Sequence, residues 1–411
     1  AITATNQKRN NGVNAASVGG WYTRPGDDIL PNGSTDAKLA NDEYQINRPQ
    51  SADETYSLPQ SMAYNIAEYE SRRTNGQLVL QVAPSDDIIA TVDYIRSEYT
   101  LERSYSDLSA WFSNTAAVSQ SSEWTSGPNA SPVYYSEVVD NADFAMGNGE
   151  DGQINFNESM GFNLDWQVND DLSLQLDYHN SSAETGANGP NGTEALITIA
   201  TFNKVGQSII TGSELPIMEL NLNSGGEENR PIYANDMIIT GSVFRNDAAW
   251  MNIDQAKLSG TWDFIDSSSI DFGVQVSKVD NRSVSNFIQL NNWGGITDPG
   301  DLADIVVRSS IEGQFDQLSG GNDSRLQTEF FSASLADLQA AGEADYAASG
   351  VAYESVGDCG TGYCASTEWP NDIRTVEDSV AAYIRLNWSG DIGTMPANFH
   401  AGVRYEETEV A

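Results

Sequence analysis

The sequence predicts an all-β protein, a segment of an antiparallel transmembrane β-barrel with short periplasmic turns and long extracellular loops. Three features of the 411 residues lead to this prediction. Apolar and polar residues alternate within four pairs of strands, aromatic residues stand at the ends of the apolar runs, and short turns inside the pairs contrast with long polar segments between them. The four strand pairs are predicted at residues 62–103, 159–181, 249–280 and 379–410.

The second pair shows the alternation most clearly. Its sequence FNLDWQVNDDLSLQLDYH, residues 162–179, has an apolar residue at every other position on both sides of a polar Asn-Asp-Asp break. Side chains of a strand point to opposite faces in turn, so each strand has one apolar and one polar face. The sequence therefore predicts a hairpin whose apolar face needs a partner.

The other three pairs follow the same pattern. The first has LVLQV before the turn Pro84–Asp87 and IIATVDY after it, the third turns at Asp266–Ser269, and the fourth has a longer break after Trp388. The turns are rich in Asp, Ser and Asn, as tight connections require. Together the pairs predict eight strands, and Ile2–Gln7 is a candidate ninth.

Aromatic residues bracket the apolar runs. Each Trp of one set stands just before a short turn, and each Tyr of the other set stands six residues into the returning strand: Trp166, Trp262 and Trp388, then Tyr94, Tyr178 and Tyr405. Trp and Tyr at both edges of an apolar stripe are typical of the girdles of a membrane barrel. A soluble β-sandwich explains the alternation equally well, but it gives no reason for this placement.

Long polar segments separate the strand pairs. We predict extracellular loops at residues 104–158, 182–248 and 281–378, and a further outer loop region at residues 1–60. Structureless loops of this length are uncommon in a compact soluble domain. The contrast between short turns and long loops therefore supports the barrel.

Composition limits the other classes. Hydrophobic residues make up 39% of the chain, and no window approaches the roughly 18 to 20 apolar residues of a membrane-spanning helix. The formal net charge of −39 argues against a nucleic-acid partner and indicates a solvated acidic surface. The first ten residues, AITATNQKRN, lack the apolar run of a signal peptide, so we expect a mature chain or part of a longer one.

The two cysteines, Cys359 and Cys364, lie close together in DCGTGYCAS. The intervening glycines allow a tight loop, which favours a disulfide outside the cytoplasm. A zinc site would need two more soft ligands, and both histidines are distant in the sequence.

No catalytic arrangement emerges, so an enzyme is not predicted. His179 and His400 fall on strand positions that face the predicted lumen, and acidic pairs such as Asp170-Asp171 suit turns better than a glycosidase site. The segment GNGEDGQINFNE, Gly147–Glu158, has the Gly and the closing Glu of a calcium loop, but glycine occupies the first and third ligand positions. The EF-hand pattern therefore fails, and calcium held by an acidic outer loop is the single cofactor expectation.

Four loop tryptophans are candidate ligand contacts: Trp21, Trp124, Trp293 and Trp369. Exposed aromatic rings among Asn, Asp and Gly suit stacking on sugars or planar ligands. Packing of one loop against another is the alternative explanation.

The run YNIAEYESRRTNGQLVLQVAPSDDIIATVDYIRSEYTLE, continuing to SAWF at residues 109–112, resembles the barrel of TonB-dependent outer-membrane receptors of marine gammaproteobacteria. The closing FHAGVRYEETEV is similar to a recurrent barrel strand of that family. The likeness covers the strand pairs, about a third of the chain. Such receptors have 22 strands, a plug domain and a TonB box, and neither plug nor box is found here. The resemblance therefore implies an internal piece of a larger receptor, with a complete eight-stranded barrel as the alternative.

The resemblance also implies a function and partners. It implies uptake of a scarce nutrient captured by loops outside the bacterial outer membrane, with membrane lipid and the TonB energy-coupling system as partners, the latter through the missing plug. The acidic loops favour a neutral or cationic ligand, and an oligosaccharide and a metal chelate both remain open. A soluble secreted β-sandwich with a binding or structural role is the competing hypothesis, and a secreted enzyme is weaker because no motif supports it.

Overall fold

The computed structural model describes residues 1–27, 51–114, 119–121, 124–224, 227–228, 231–265, 267–291, 297–349 and 357–411. Strands account for 71% of the structure, and the described residues include one α-helix. The predicted all-β fold class is confirmed, as an antiparallel, barrel-like sheet. No described helix is both long enough and apolar enough to cross a membrane.

The strands fall into long and short groups. The long strands are β1 (Ile2–Gly19), β4 (Ser61–Ser85), β5 (Ile88–Trp111), β8 (Tyr134–Asn169), β9 (Leu172–Ala187), β10 (Glu194–Ile210), β13 (Ile238–Ile265), β14 (Ser268–Asn291), β17 (Asn371–Ile392) and β18 (Met395–Val410). The short strands are β2 (Tyr22–Pro25), β3 (Thr55–Leu58), β6 (Ser119–Ser121), β7 (Asn129–Ala130), β11 (Ile217–Ser224), β12 (Glu227–Glu228), β15 (Val307–Ser310) and β16 (Glu329–Ser332). The helix α1 is Leu335–Ser349, and a 3₁₀ turn covers Ala234–Asp236.

The long strands form one antiparallel sheet in the order β1-β4-β5-β8-β9-β13-β14-β17-β18. Strands β9 and β10 share the place between β8 and β13, with β9 paired along one half of β8 and β10 along the other. Residues 188–193 leave the sheet where one gives way to the other. Within the described residues, β1 and β18 each have one neighbour, so the sheet has two edges.

Short turns join four strand pairs: β4–β5, β8–β9, β13–β14 and β17–β18. These are the pairs in which the sequence alternates. Each pair lies beside the next in the sheet, with β5 on β8, β9 on β13 and β14 on β17. The apolar faces of all four pairs are thereby combined on one face of the sheet.

Strands extend well into the segments predicted as loops. The predicted outer loop at 1–60 begins with β1, which is 18 residues long rather than the predicted six. The predicted loop at 104–158 contains most of the 36-residue β8, and β10 and the first part of β13 lie within the predicted loop at 182–248. These extensions are polar on one face or rich in Asn and Gly, so alternation does not mark them, and backbone pairing along neighbouring strands stabilises them.

The end of the sheet opposite the short turns is covered on one face. We call the covering layer the cap: β11, residues 297–349 and residues 357–370. Its apolar side chains share one core with those of the sheet strands, including Tyr64, Met146 and Phe244. Backbone contacts fix it in place, since Phe331 N donates to Met146 Sδ at 3.1 Å and Asn286 Nδ2 donates to Glu368 O at 2.6 Å.

Candidate functional site

The register of the sheet aligns the apolar residues of the four strand pairs into rows. Residues that lie opposite one another on successive strands form one row, and three adjacent rows are apolar across most of their length. They are Leu80, Val92, Phe162, Tyr178, Ala256, Val276 and Val380; then Val82, Ala90, Leu164, Leu176, Leu258, Val274, Ala382 and Tyr405; then Ile88, Trp166, Leu174, Gly260, Phe272, Ile384 and Val403. We call these rows the apolar band.

The band is bare. Leu80 is 60% exposed, Val274 53% and Val403 67%, although each is paired on both sides or lies inside a strand of the sheet. An exposed apolar surface that crosses eight strands is far larger than the scattered exposed residues of soluble proteins. Such a surface indicates an interface with lipid or with another protein.

The six predicted girdle aromatics all lie on the band face. The three tryptophans lie on β8, β13 and β17, and each lies one row nearer to the short turns than the one before: Trp166, Trp262 and Trp388. The three tyrosines lie on β5, β9 and β18, and each also lies one row nearer to the short turns than the one before: Tyr94, Tyr178 and Tyr405. Both sets therefore cross the sheet obliquely and in the same direction. This arrangement is expected when the strands are tilted from the barrel axis and the boundary is perpendicular to that axis.

The three tyrosine hydroxyls point away from the band. Each donates a hydrogen bond to a carboxylate in the next row toward the cap: Tyr94 to Glu158, Tyr178 to Asp254 at 3.3 Å, and Tyr405 to Glu407 at 3.0 Å. Each ring lies at the apolar edge with its polar group toward charged side chains. This is the environment that makes Tyr favourable at an apolar–aqueous boundary.

The opposite face of the same strands is polar, and we call it the polar face. Asp271 accepts hydrogen bonds from Thr261 Oγ1 and Asn387 Nδ2, both at 2.9 Å, and pairs with Arg385. Gln175 Nε2 donates to Asp165 Oδ1 at 2.9 Å. A cleft of about 900 Å³ opens on this part of the molecule and includes these charged residues in its lining.

The predicted histidines occupy polar-face positions. His179 lies opposite Gly161 and Gln255, and His400 opposite Asn387. His179 lines a small cleft of about 250 Å³ with Ile95, Met251 and Ile253. Neither histidine has a nucleophile or an acid partner in the described hydrogen bonds.

The loop tryptophans do not form one platform. Trp21, next to β2, is 44% exposed, whereas Trp124 is only 3% exposed and meets the Tyr56 ring edge-on at 5.5 Å between centroids. Trp369 is half-buried in the cap, and Trp293 lies outside the described residues. Trp124 is therefore not an exposed ligand contact. Its ring packs against residues of the small sheet formed by β2, β3 and β7.

The cysteines form the predicted disulfide between Cys359 and Cys364. The loop they close is held in the cap by Asp358, whose carboxylate accepts from Ser366 Oγ and Thr367 N, both at 2.9 Å. The hydrogen bond from Thr367 Oγ1, at 2.8 Å, and those from Ser366 Oγ and Thr367 N hold the pKa of Asp358 below its usual range, with burial opposing them.

The segment Gly147–Glu158, in which the EF-hand pattern fails in the sequence, is not a loop in the structure. The segment lies inside β8, fully paired with β5. Side chains alternate between the two faces of a strand, so these oxygens cannot converge on one ion. No group of three or more metal-ligating residues is found in the part of the chain that the structure describes.

The capped end buries charged groups. Lys204 Nζ donates to Gln207 Oε1 at 2.6 Å, and Gln207 Nε2 donates to Glu137 Oε2 at 3.0 Å. Burial lowers the pKa of Lys204 to about 8, opposed by the nearby charges of Asp143 and Glu137. Burial also raises the pKa of Asp107, although the Gly147 amide donates to its carboxylate at 3.1 Å.

Two clefts lie where the cap meets the band face. Their volumes are about 790 and 460 Å³, and both include Glu68, Ser104 and Glu150 in their lining. We call the two together the groove. Sequence reasoning missed the groove because its residues come from β1, β4, β5, β8 and the cap, and no local motif connects them.

No family model and no curated protein matches the chain. Among solved structures, the ferric yersiniabactin uptake receptor FyuA from Yersinia pestis is 7% identical, with 85% of this chain and 49% of that chain covered and a TM-score of 0.13. The copper transporter OprC is 7% identical, with 85% and 71% covered and a TM-score of 0.11. The chain spans about half the length of the first of these structures, and scores of this size do not establish a shared fold.

Proposed function

We propose that this chain forms part of the wall and the outer surface of a bacterial outer-membrane nutrient receptor that works with the TonB system. In this proposal the apolar band faces lipid, the polar face lines an aqueous interior, and the cap lies on the extracellular side. The observation that carries it is the apolar band with aromatic residues along both edges.

The length of the apolar stretch can be compared with the height of a barrel's apolar band. From Leu172 to Tyr178 the apolar stretch of β9 advances about 20 Å along the strand at roughly 3.3 Å per residue. Outer-membrane barrels have an outward-facing apolar band about 25 Å tall. The stretch is of the same order but shorter, and strand tilt lowers the height that it spans.

The strand order favours a larger barrel over a small closed one. Eight antiparallel pairings connect β1 to β18, so these two strands run in the same direction. An all-antiparallel barrel would therefore need an odd number of further strands between them. A wall shared with other strands also explains why both edge strands are long.

We propose a small nutrient as the cargo, either an oligosaccharide or a metal chelate. The chain has 59 acidic and 20 basic residues, which favours a neutral or cationic cargo over a strongly anionic one. Energy for uptake would come from the TonB system acting on a plug domain, and this chain would supply the wall and the binding surface.

Fractionation of the source cells tests the proposal. We expect the polypeptide in the outer-membrane fraction, resistant to a carbonate wash and released by detergent. As a second measurement, lipids brominated along their acyl chains should quench the fluorescence of a variant that retains only Trp166, Trp262 and Trp388. Recovery from the aqueous fraction without detergent would replace the barrel by the soluble β-sandwich.

A further inference from the structure

A cleft of about 450 Å³ opens at the end of the sheet far from the short turns, and we call it the outer pocket. It is formed by three strands that pair in the order β8, β10 and β11. The core lies on the reverse face of these strands, where Tyr135, Ile209 and Met218 are buried. The outer pocket therefore opens on the side that continues the polar face.

Irregular pairing shapes the outer pocket. The register of β10 shifts between Lys204 and Gly206 against both β8 and β11. Beside this shift, Asn141 of β8 has a left-handed backbone with a φ of 49°. Bulges bend a strand and re-aim its side chains, and they are frequent beside functional sites. The bend explains how a paired sheet encloses a cleft of this size.

The side chains that face the outer pocket are uncharged. They supply three hydroxyl groups, two amides and one apolar surface: Tyr134, Ser136, Ser208, Asn221, Asn223 and Val138. Tyr134 Oη and Ser208 Oγ lie 3.2 Å apart, and Ser208 is only 4% exposed. Val138, in contrast, is 57% exposed. The outer pocket thus combines hydrogen-bonding groups with an open apolar surface, as specific sites for small ligands do.

The charged groups nearby point elsewhere or lie outside the lining. The side chain of Glu137 points to the core, where its carboxylate accepts from Ser113 N at 2.9 Å and Asn114 N at 2.7 Å. Glu219 lies opposite Ser208 in the register but is not part of the lining. An ion that entered would lose hydration without gaining an opposite charge from the lining. The outer pocket therefore favours a neutral ligand.

Gly206 gives the amide of Asn221 its place. A Cβ on Gly206 would lie only 2.9 Å from Asn221 Nδ2, so the amide lies directly against the glycine. No side-chain hydrogen bond joins Asn221 to another described residue, and the side chain is exposed. Its donor and its acceptor are therefore both available to a ligand.

Hydroxyl and amide groups beside an aromatic ring suit a sugar. Each sugar hydroxyl both donates and accepts hydrogen bonds, as the groups of the outer pocket do. The ring of Tyr134 is partly exposed and gives the C–H face of a sugar an aromatic surface. The volume of about 450 Å³ also lies within the range of about 300–1,000 Å³ that is usual for small-molecule sites.

We propose that the outer pocket binds a neutral oligosaccharide, with sugar hydroxyls on Ser136 and Asn221 and one sugar ring against Tyr134. This inference rests on the proposed function in one respect, the assignment of the polar face to the interior. It selects the oligosaccharide over the metal chelate as the cargo. Since the outer pocket opens away from the lipid side, the sugar is a free oligosaccharide and not the headgroup of a membrane glycolipid.

Saturation-transfer NMR on the full chain in detergent micelles tests the inference. One arm uses four free hexasaccharides, of α-1,4-, β-1,4- and β-1,3-linked glucose and of β-1,4-linked N-acetylglucosamine. The other arm uses a gallium trihydroxamate, a diamagnetic stand-in for a ferric chelate. We expect transfer to at least one hexasaccharide and none to the chelate.

Asn221→Ala is the decisive variant. It removes a donor and an acceptor, so we expect sugar binding to weaken about tenfold. Gly206→Ala keeps the Asn221 amide but displaces it, and binding should weaken in the same direction. Asn155→Ala, on the polar face of β8 but outside the outer pocket, is the matched control and should leave binding unchanged.

Three outcomes would overturn the inference: no transfer to any hexasaccharide, transfer to the gallium chelate alone, or equal weakening of sugar binding by Asn155→Ala and Asn221→Ala. Failure of the proposed function gives a different signature. In that case the chain is soluble without detergent, and the same titrations in plain buffer test the outer pocket separately.

Discussion

The capped end and the band end of the sheet are apolar on the same face, yet they meet different surroundings. Tyr64, Met146 and Phe244 at the capped end are fully buried, whereas Leu80, Val274 and Val403 in the band are more than half exposed. Both sets of side chains lie on the same face of the sheet. The difference in their exposure therefore comes from the cap, which covers one end and not the other.

Aromatic residues show what each surrounding requires. At the capped end they lie inside the core, and the Tyr64 hydroxyl donates to Pro216 O at 2.6 Å and accepts from Met218 N at 3.0 Å. In the band they stand along the edges with hydroxyls directed at carboxylates. A protein layer can satisfy a polar group anywhere on its surface, whereas the hydrocarbon of a bilayer cannot. The placement of the tyrosines is the one expected if the band faces lipid, as we propose.

The largest expected effect comes from a matched pair of phenylalanines. Phe144→Ala, fully buried at the capped end, should lower the free energy of unfolding by about 3–5 kcal/mol because it leaves a cavity. Phe399→Ala, 56% exposed on the band face, should cost about 1 kcal/mol or less because lipid or detergent fills the space. Denaturant titration in micelles measures both. Equal costs would mean that protein covers both ends.

A charge placed in the band gives the next effect. Leu174→Arg should destabilise the lipid-inserted protein by about 2–4 kcal/mol if it lies near the bilayer midplane, whereas Gln175→Arg on the polar face should be mild. Urea-dependent folding into lipid vesicles measures the difference. Similar penalties at the two positions would remove the assignment of faces and favour a sheet packed on another sheet.

The band was predictable and the cap was not, for a physical reason. Alternation over Phe162–His179 fixes both the strand and its apolar face, because period-two patterning leaves no other way to segregate those side chains. The alignment of the four pairs into rows was not visible in the sequence, since it depends on which strands become neighbours. Only the structure shows that Val92, Phe162 and Tyr178 share a row.

The candidate site shows the same limit. Cys359 and Cys364 were predictable as a disulfide because they are near in sequence, and Trp124 was misjudged because exposure depends on Tyr56, far away in the chain. The groove brings together Glu68, Ser104 and Glu150, which share no motif. The exposure of Trp124 and the lining of the groove depend on contacts between segments that are distant in the chain. Such contacts cannot be predicted from a single sequence.

The pH dependence of stability should separate the two ends further. The pKa of Lys204 is about 8 in the fold and 10.5 in the unfolded chain, so between these values the unfolded state binds more protons. Stability therefore rises with pH, by about 2 kcal/mol from pH 8 to pH 10. Lys204→Met should lose this rise, and Lys257→Met on a band strand should retain it. Parallel profiles for the wild type and Lys204→Met would show that Lys204 titrates normally. Burial raises the pKa values of Tyr64 and Tyr105 in the fold. These two groups therefore lower the stability as the pH rises, mainly above pH 10.

The smallest expected effect concerns the disulfide, which lies in the cap alone. It closes a loop of only a few residues, so its loss should cost about 2 kcal/mol or less. The loop remains fixed without it, because Gly362 O accepts from Ser242 Oγ at 2.8 Å and Tyr363 is fully buried. The variant with Cys359→Ser and Cys364→Ser should therefore show faster proteolysis and hydrogen exchange over residues 357–370, with unchanged lipid quenching of Trp166. A change at Trp166 would mean that the cap and the band are coupled through the sheet, and the two ends could then no longer be treated as independent.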